Sequence, residues 1–259
     1  MRKFILAAAA AALLCGAPAV ASAQTGYVGL SYTHDSIDPG SFDVDVGAID
    51  GVAAFDLGGP GLQVGAGYAN ISPDGGDDAD DWHVDAHLFA RNDQWQWGGA
   101  VAYENVDFGG GDNTDVWTGA AEMLFFQPDV TWGATLSYSD ASDIDASAWN
   151  LNGEARYFFN DNFRVDGNVG LGTADLGGAD DSDNTWQAGI GAEYQFASMP
   201  ISIYGGYEHY NIDTSGDNVD NDALTIGARW NFGGTLRDRD RSGANLHSGS
   251  WIQSVLGAL

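Results

Sequence analysis

Between residues 25 and 233 the chain repeatedly alternates apolar and polar positions. In V-T-W-G-A-T-L-S-Y-S (130–139), Val130, Trp132, Ala134, Leu136 and Tyr138 fall on one side, and Thr131, Gly133, Thr135, Ser137 and Ser139 on the other. Residues 186–196 repeat the pattern, with Trp186, Ala188, Ile190, Ala192, Tyr194 and Phe196 set against Gln187, Gly189, Gly191, Glu193 and Gln195. A period of two marks strands with one apolar and one polar face. Twelve segments read this way: 25–34, 42–56, 62–72, 81–92, 95–107, 114–127, 129–140, 145–160, 163–174, 184–197, 200–212 and 221–233. Most reach the ~9–11 residues that a tilted strand needs to cross a bilayer, beyond the roughly five or six usual in soluble sheets.

The connections alternate as well. Odd-numbered ones are long and acidic, as in SPDGGDDADD (72–81) and DTSGDNVDND (213–222), and even-numbered ones are tight, as in GGPG (58–61) and NDN (160–162). A membrane barrel with an even strand count and a periplasmic N-terminus places every long loop outside and every short turn in the periplasm. Aromatic residues follow the same division. Trp95, Trp97, Trp132, Tyr157, Phe159, Phe163, Tyr194, Phe196 and Trp230 lie towards the short turns, and Trp82, Tyr103, Trp117, Trp149 and Trp186 towards the long loops. Two aromatic belts at two interfaces fit a bilayer. The competing fold, a soluble sandwich with aromatics in its core, must hide a very large apolar face. The fold expected is therefore all-β: an antiparallel up-and-down transmembrane barrel of about 12 strands, with 10–14 compatible with the pattern.

The chain opens MRKFILAAAAAALLCGAPAVASA. A basic start, a short apolar stretch and A-S-A predict a secretion signal, residues 1–23, cleaved after Ala23. The domains expected are that leader, a barrel over 24–234, and a periplasmic tail over 235–259 with room for a short C-terminal helix at 250–259. Arg237, Arg239 and Arg241 alternate with Asp238 and Asp240, which predicts a solvated tail. The only cysteine, Cys15, lies in the leader, so disulfides do not hold the barrel together. Arg2 and Lys3 also lie there. Residues 24–259 thus carry seven basic side chains against 37 acidic ones, a formal charge of −30. Such a surface repels phosphate and excludes nucleic acid as a partner.

The chain resembles the small porin-like outer-membrane β-barrel proteins of Gram-negative bacteria, particularly alphaproteobacterial ones. The resemblance is carried by the A-S-A site, the hairpin rhythm and the closing strand ALTIGARWNF. It implies an outer-membrane location, surrounding lipids, and the barrel-assembly machinery as a partner. In such proteins a terminal aromatic of the closing strand is the assembly signal, and Phe232 occupies that place, although 27 residues follow it.

Parity turns a set of charged residues inward: Arg91, Glu104, Glu154, Arg156, Arg164, Asp166, Glu193 and Arg229, with His83, Asp85 and His87 beside them; Glu122 and Glu208 follow the alternation less cleanly and are placed inward because a lipid-facing carboxylate is costly. The four barrel arginines all fall near short-turn ends, beneath acidic loops. Two readings stay open. In one, these residues line the constriction of a pore for small hydrophilic solutes or ions. In the other they pair and fill a closed barrel that acts through its loops, structurally or adhesively. Glu154, Arg156 and Arg164 are the cluster expected to pair. Asp77, Asp78, Asp80 and Asp81, or Asp213, Asp217, Asp220 and Asp222, lack calcium-loop spacing and read as a solvated acidic face, so no metal or cofactor is assigned. Ser is scarce near His83, His87 and His209, and no G-x-S-x-G elbow exists, so the chain is not read as an enzyme.

Overall fold

The computed structural model describes residues 24–39, 42–108, 113–175, 182–213 and 218–248. The leader with its cleavage site at Ala23, the segment 250–259 and Asp217 lie outside them. Twelve antiparallel strands close into one barrel, each paired with its neighbour in sequence and the last with the first. They are β1 (Thr25–Asp38), β2 (Phe42–Asp56), β3 (Gly61–Pro73), β4 (Ala79–Arg91), β5 (Trp95–Asp107), β6 (Asn113–Phe126), β7 (Val130–Ala141), β8 (Ala146–Asn160), β9 (Phe163–Asp175), β10 (Asp183–Gln195), β11 (Ile201–Asp213) and β12 (Asn218–Phe232). The β1–β12 ladder runs from Gly26 opposite Phe232 to Asp38 opposite Asp220, so no sheet edge stays open.

The alternation read from sequence is the inside–outside alternation of the barrel. On β7, Trp132, Leu136 and Tyr138 are exposed on the outer surface, and Thr131, Ser137 and Ser139 are buried within. The two aromatic groups form chains of ring contacts. Tyr157, Phe159, Phe163, Tyr194 and Phe196 run along the short-turn end, and Trp82, Tyr103 and Trp117 along the long-loop end. Offset and edge-on pairs of this kind add about 0.5–1.5 kcal/mol each beyond area burial.

Several strands run further into the long loops than alternation alone indicates: β1 reaches Asp38 and β12 begins at Asn218. Outward-facing side chains tie the hairpins there. Tyr32 donates to Asp45 at 2.7 Å, Tyr103 to Asp115 at 2.7 Å, and Asn211 to Asp220 at 2.7 Å. Asp220, which reads as part of a solvated acidic loop in sequence, thus extends a ladder.

After β12 the chain does not run off into solvent. Gly233 and Gly234 take positive φ angles of 89° and 129° and reverse it. A Cβ at Gly233 would stand 2.1 Å from the Gln24 carbonyl oxygen, so only glycine fits this turn. Helix α1 (Leu236–Ser242) follows, with Thr235 and Asp238 forming a reciprocal capping box and Gly243 closing it in the left-handed region. Residues 244–248 continue inside the barrel. The expectation of a solvated tail fails over 235–248: Leu236, Arg239, Asp240, Ala244, Asn245 and Leu246 are buried. In a helix the alternating arginines separate by turn geometry rather than by strand parity.

Candidate functional site in the barrel lumen

The inward faces of β8, β9, β10 and β12 carry the charges that set the lumen's character. Arg156 donates to Glu154 through Nε at 3.0 Å, its neighbour two residues back on the same strand face. Glu154 lies flat against the wall because Gly133, opposite it on β7, leaves room: a Cβ there would meet the carboxylate at 2.4 Å. Glu193 is the second centre. It is 1% exposed and takes Arg164 at 3.4 Å, Arg229 at 3.1 Å and Arg239 at 2.7 Å. The guanidinium of Arg229 lies over the rings of Tyr27 and Tyr204, 4.4 and 4.0 Å from their centroids. Arg164 also pairs with Asp166 at 3.2 Å. The expected cluster therefore divides: Arg156 holds Glu154, whereas Arg164 joins the Glu193 group.

The remaining sequence candidates lie apart from this pair of clusters. Glu122 and Asp85 grip the two nitrogens of His87 at 2.7 and 2.9 Å, all three buried on the wall formed by β4 and β6. Glu104 is buried on β5, opposite His83 in the ladder. Glu208 accepts from Asn168 at 3.5 Å. Arg91 stands at the rim, reaching the Arg241 carbonyl at 3.4 Å and Gln24 at 3.5 Å. Phe232 ends β12 against Trp230, their ring centroids 5.9 Å apart. Among the described residues, no three carboxylate, imidazole or thiol groups are placed to share a metal ion.

Two adjoining cavities of about 360 and 340 Å³ occupy the interior. Both are lined by Glu154, Arg164, Asp166, Asn168, Glu208 and Arg229. The lining of the second includes Ala244–Ser248. The tail is bonded to strands on several sides of the barrel. Asp240 accepts from Arg156 at 2.8 Å and from Thr131 at 2.6 Å. Gln63 on β3 accepts the backbone N–H groups of Asn245 and Leu246 and donates to the Leu246 carbonyl, each at 3.1 Å. Gln96 on β5 donates to Asn245 at 3.1 Å, and Ser248 donates to Asp85 on β4 at 2.6 Å. The last contact is permitted by Gly65, where a Cβ would overlap the Ser248 hydroxyl at 1.9 Å.

Not all of the inner wall is polar. Phe89, Leu124 and Phe126 turn inward near the short turns and close on Leu246, and Tyr27, Val52 and Ala54 close on Ala244. Burying a leucine side chain this way contributes about 1.5–3 kcal/mol. On the outer side of α1, Arg237 straps the helix to Asp129 at 3.0 Å and Asp161 at 3.0 Å, and Arg241 donates to the Gln127 carbonyl at 2.7 Å. His247 follows Leu246 into the lumen and lines the second cavity with Asn245 and Ser248.

A closed barrel with a lipid-type outer face and a charged interior is matched by comparison. Residues 6–232 fit the model of the outer membrane protein beta-barrel domain. The chain belongs to that family. This outer-membrane barrel matches no curated protein. It is similar in structure to an outer membrane channel from Pseudomonas putida F1, with 13% identity, 82% of this chain and 96% of that one covered, and a TM-score of 0.59. It is similar to the translocator domain of the autotransporter NalP from Neisseria meningitidis, with 14% identity, 89% and 99% covered, and a TM-score of 0.57. The NanC porin aligns with 14% identity, 78% and 98% covered, and a TM-score of 0.52. At these identities the likeness is one of fold.

Strand parity identifies the inward charges of this barrel but not the tail's part in the site. Arg239, Asp240, Asn245 and Ser248 are the functional candidates that alternation does not reveal. The signals were local ones: a glycine pair after the closing strand, T-x-x-D at 235–238 and Gly243 at the helix end.

Proposed function

We propose that this outer-membrane barrel is a porin-like channel for small hydrophilic solutes or ions. Its long acidic loops form the outer mouth and its short turns the periplasmic end. The observation that carries the reading is the pair of adjoining polar cavities inside the closed wall, lined by carboxylates and guanidinium groups rather than packed apolar side chains. Rings of charge in such a passage set ion preference. The acidic mouth concentrates cations at low ionic strength.

A second reading, a closed structural or adhesive barrel acting through its loops, draws on the buried pairing of Glu193 with three arginines and of Arg156 with Glu154 and Asp240. Purified protein in planar bilayers distinguishes the two. Ohmic current steps support the channel. A folded, heat-modifiable barrel that never conducts, with its tail held or released, supports the second reading.

A further inference from the structure

We propose that residues 235–248 are a releasable plug, held in the short-turn end of the lumen by a polar latch and withdrawn on the Gly233–Gly234 hinge. The inference rests on the channel reading.

Four observations converge on it. The barrel closes without the tail, because the β1–β12 ladder is complete up to Phe232. The tail joins the barrel through two glycines with positive φ. The segment 244–248 forms part of the inner cavity's lining, so a path down the lumen meets it.

Fourth, the wall keeps charge partners of its own if the tail leaves. Arg156 loses Asp240 but retains Glu154. Glu193 loses Arg239 but retains Arg164 and Arg229. Removing one partner of a buried ion pair is costly when it strands the other. Here neither wall centre is stranded, and Arg239 and Asp240 pass to water, where their charges are hydrated. Withdrawal does uncover the inward patch of Phe89, Leu124 and Phe126 beneath Leu246. That apolar cost, together with the Gln63 and Ser248 bonds, favours the docked state. A tail built as a permanent wall has no need of charge partners that duplicate pairs already present.

The test bridges the latch and releases it. Asp85→Cys with Ser248→Cys, in a chain also carrying Cys15→Ala, places two thiols where the side-chain oxygens now stand 2.6 Å apart. A short bis-methanethiosulfonate reagent joins them, and reductant frees them. The gel mobility shift on heating verifies that each form is folded. A second variant, Arg239→Gln with Asp240→Ala, weakens the latch without touching the Cys pair. The plug predicts bilayer conductance at least tenfold lower in the bridged protein than after reduction, and raised conductance in the weakened variant relative to the unmodified protein. Equal, steady conductance in bridged and reduced forms overturns the plug and leaves the channel standing. Absence of current in every folded form, the weakened variant included, overturns the channel reading itself.

Discussion

Replacing Asp240 by alanine isolates the polar part of the tail's attachment. The carboxylate is 1% exposed and accepts two hydrogen bonds, from Arg156 at 2.8 Å and from Thr131 at 2.6 Å. Bonds involving a charged group contribute about 1.5–3 kcal/mol each, and loss of a partner from a buried pair costs about 3–5 kcal/mol when the other charge is stranded. Arg156 is not stranded, because Glu154 remains at 3.0 Å. The net cost to docking is therefore placed at about 2–3 kcal/mol, a roughly 30- to 150-fold drop in the ratio of docked to released tail. Hydrogen exchange of the protein in lipid nanodiscs reads this directly. Amides of 236–248 should exchange faster by that factor in Asp240→Ala, while amides of β7 and β8 keep their protection. Unchanged tail protection would refute the reasoning. So would equal loss across β7 and β8, which would make Asp240 a support of the barrel rather than of the tail.

Two further outcomes follow from the same geometry. Gly233→Ala forces a side chain into a positive-φ turn against the Gln24 carbonyl, and about 1–3 kcal/mol of strain should raise tail exchange without unfolding the strands. Val101→Arg puts a charge midway along β5 on the lipid face, where the valine is 62% exposed, and chemical denaturation in lipid vesicles should show a loss of about 2–4 kcal/mol.

How much of this was legible in the sequence differs between wall and tail. The wall is governed by a period-two rule that lipid enforces on every strand, so Trp132 and Thr131 declare their sides without any tertiary information. The same rule places Glu154, Arg156, Arg164, Glu193 and Arg229 inward. It does not say which carboxylate meets which guanidinium, because that depends on interstrand register and on glycines such as Gly133 that let a neighbour lie flat. The tail obeys a different rule. Arg237, Arg239 and Arg241 look equivalent as an alternating run, but on a helix Arg237 and Arg241 stand four residues apart and face the rim, while Arg239 turns inward to Glu193. The inward apolar residues Phe89, Leu124 and Phe126 depart from a hydrophilic interior, and they make sense only with Leu246 lying on them.

The claim on which the account turns is that the chain's own tail occupies the short-turn end of its lumen in the membrane. Electron paramagnetic resonance distances in lipid bilayers measure this most directly, with one spin label at His247 and a second at the exposed turn residue Asp93. A single narrow distance, shorter than the barrel is wide and lengthening on Arg239→Gln with Asp240→Ala, is the result the account predicts. A broad distribution reaching well beyond the barrel in the unmodified protein would contradict it.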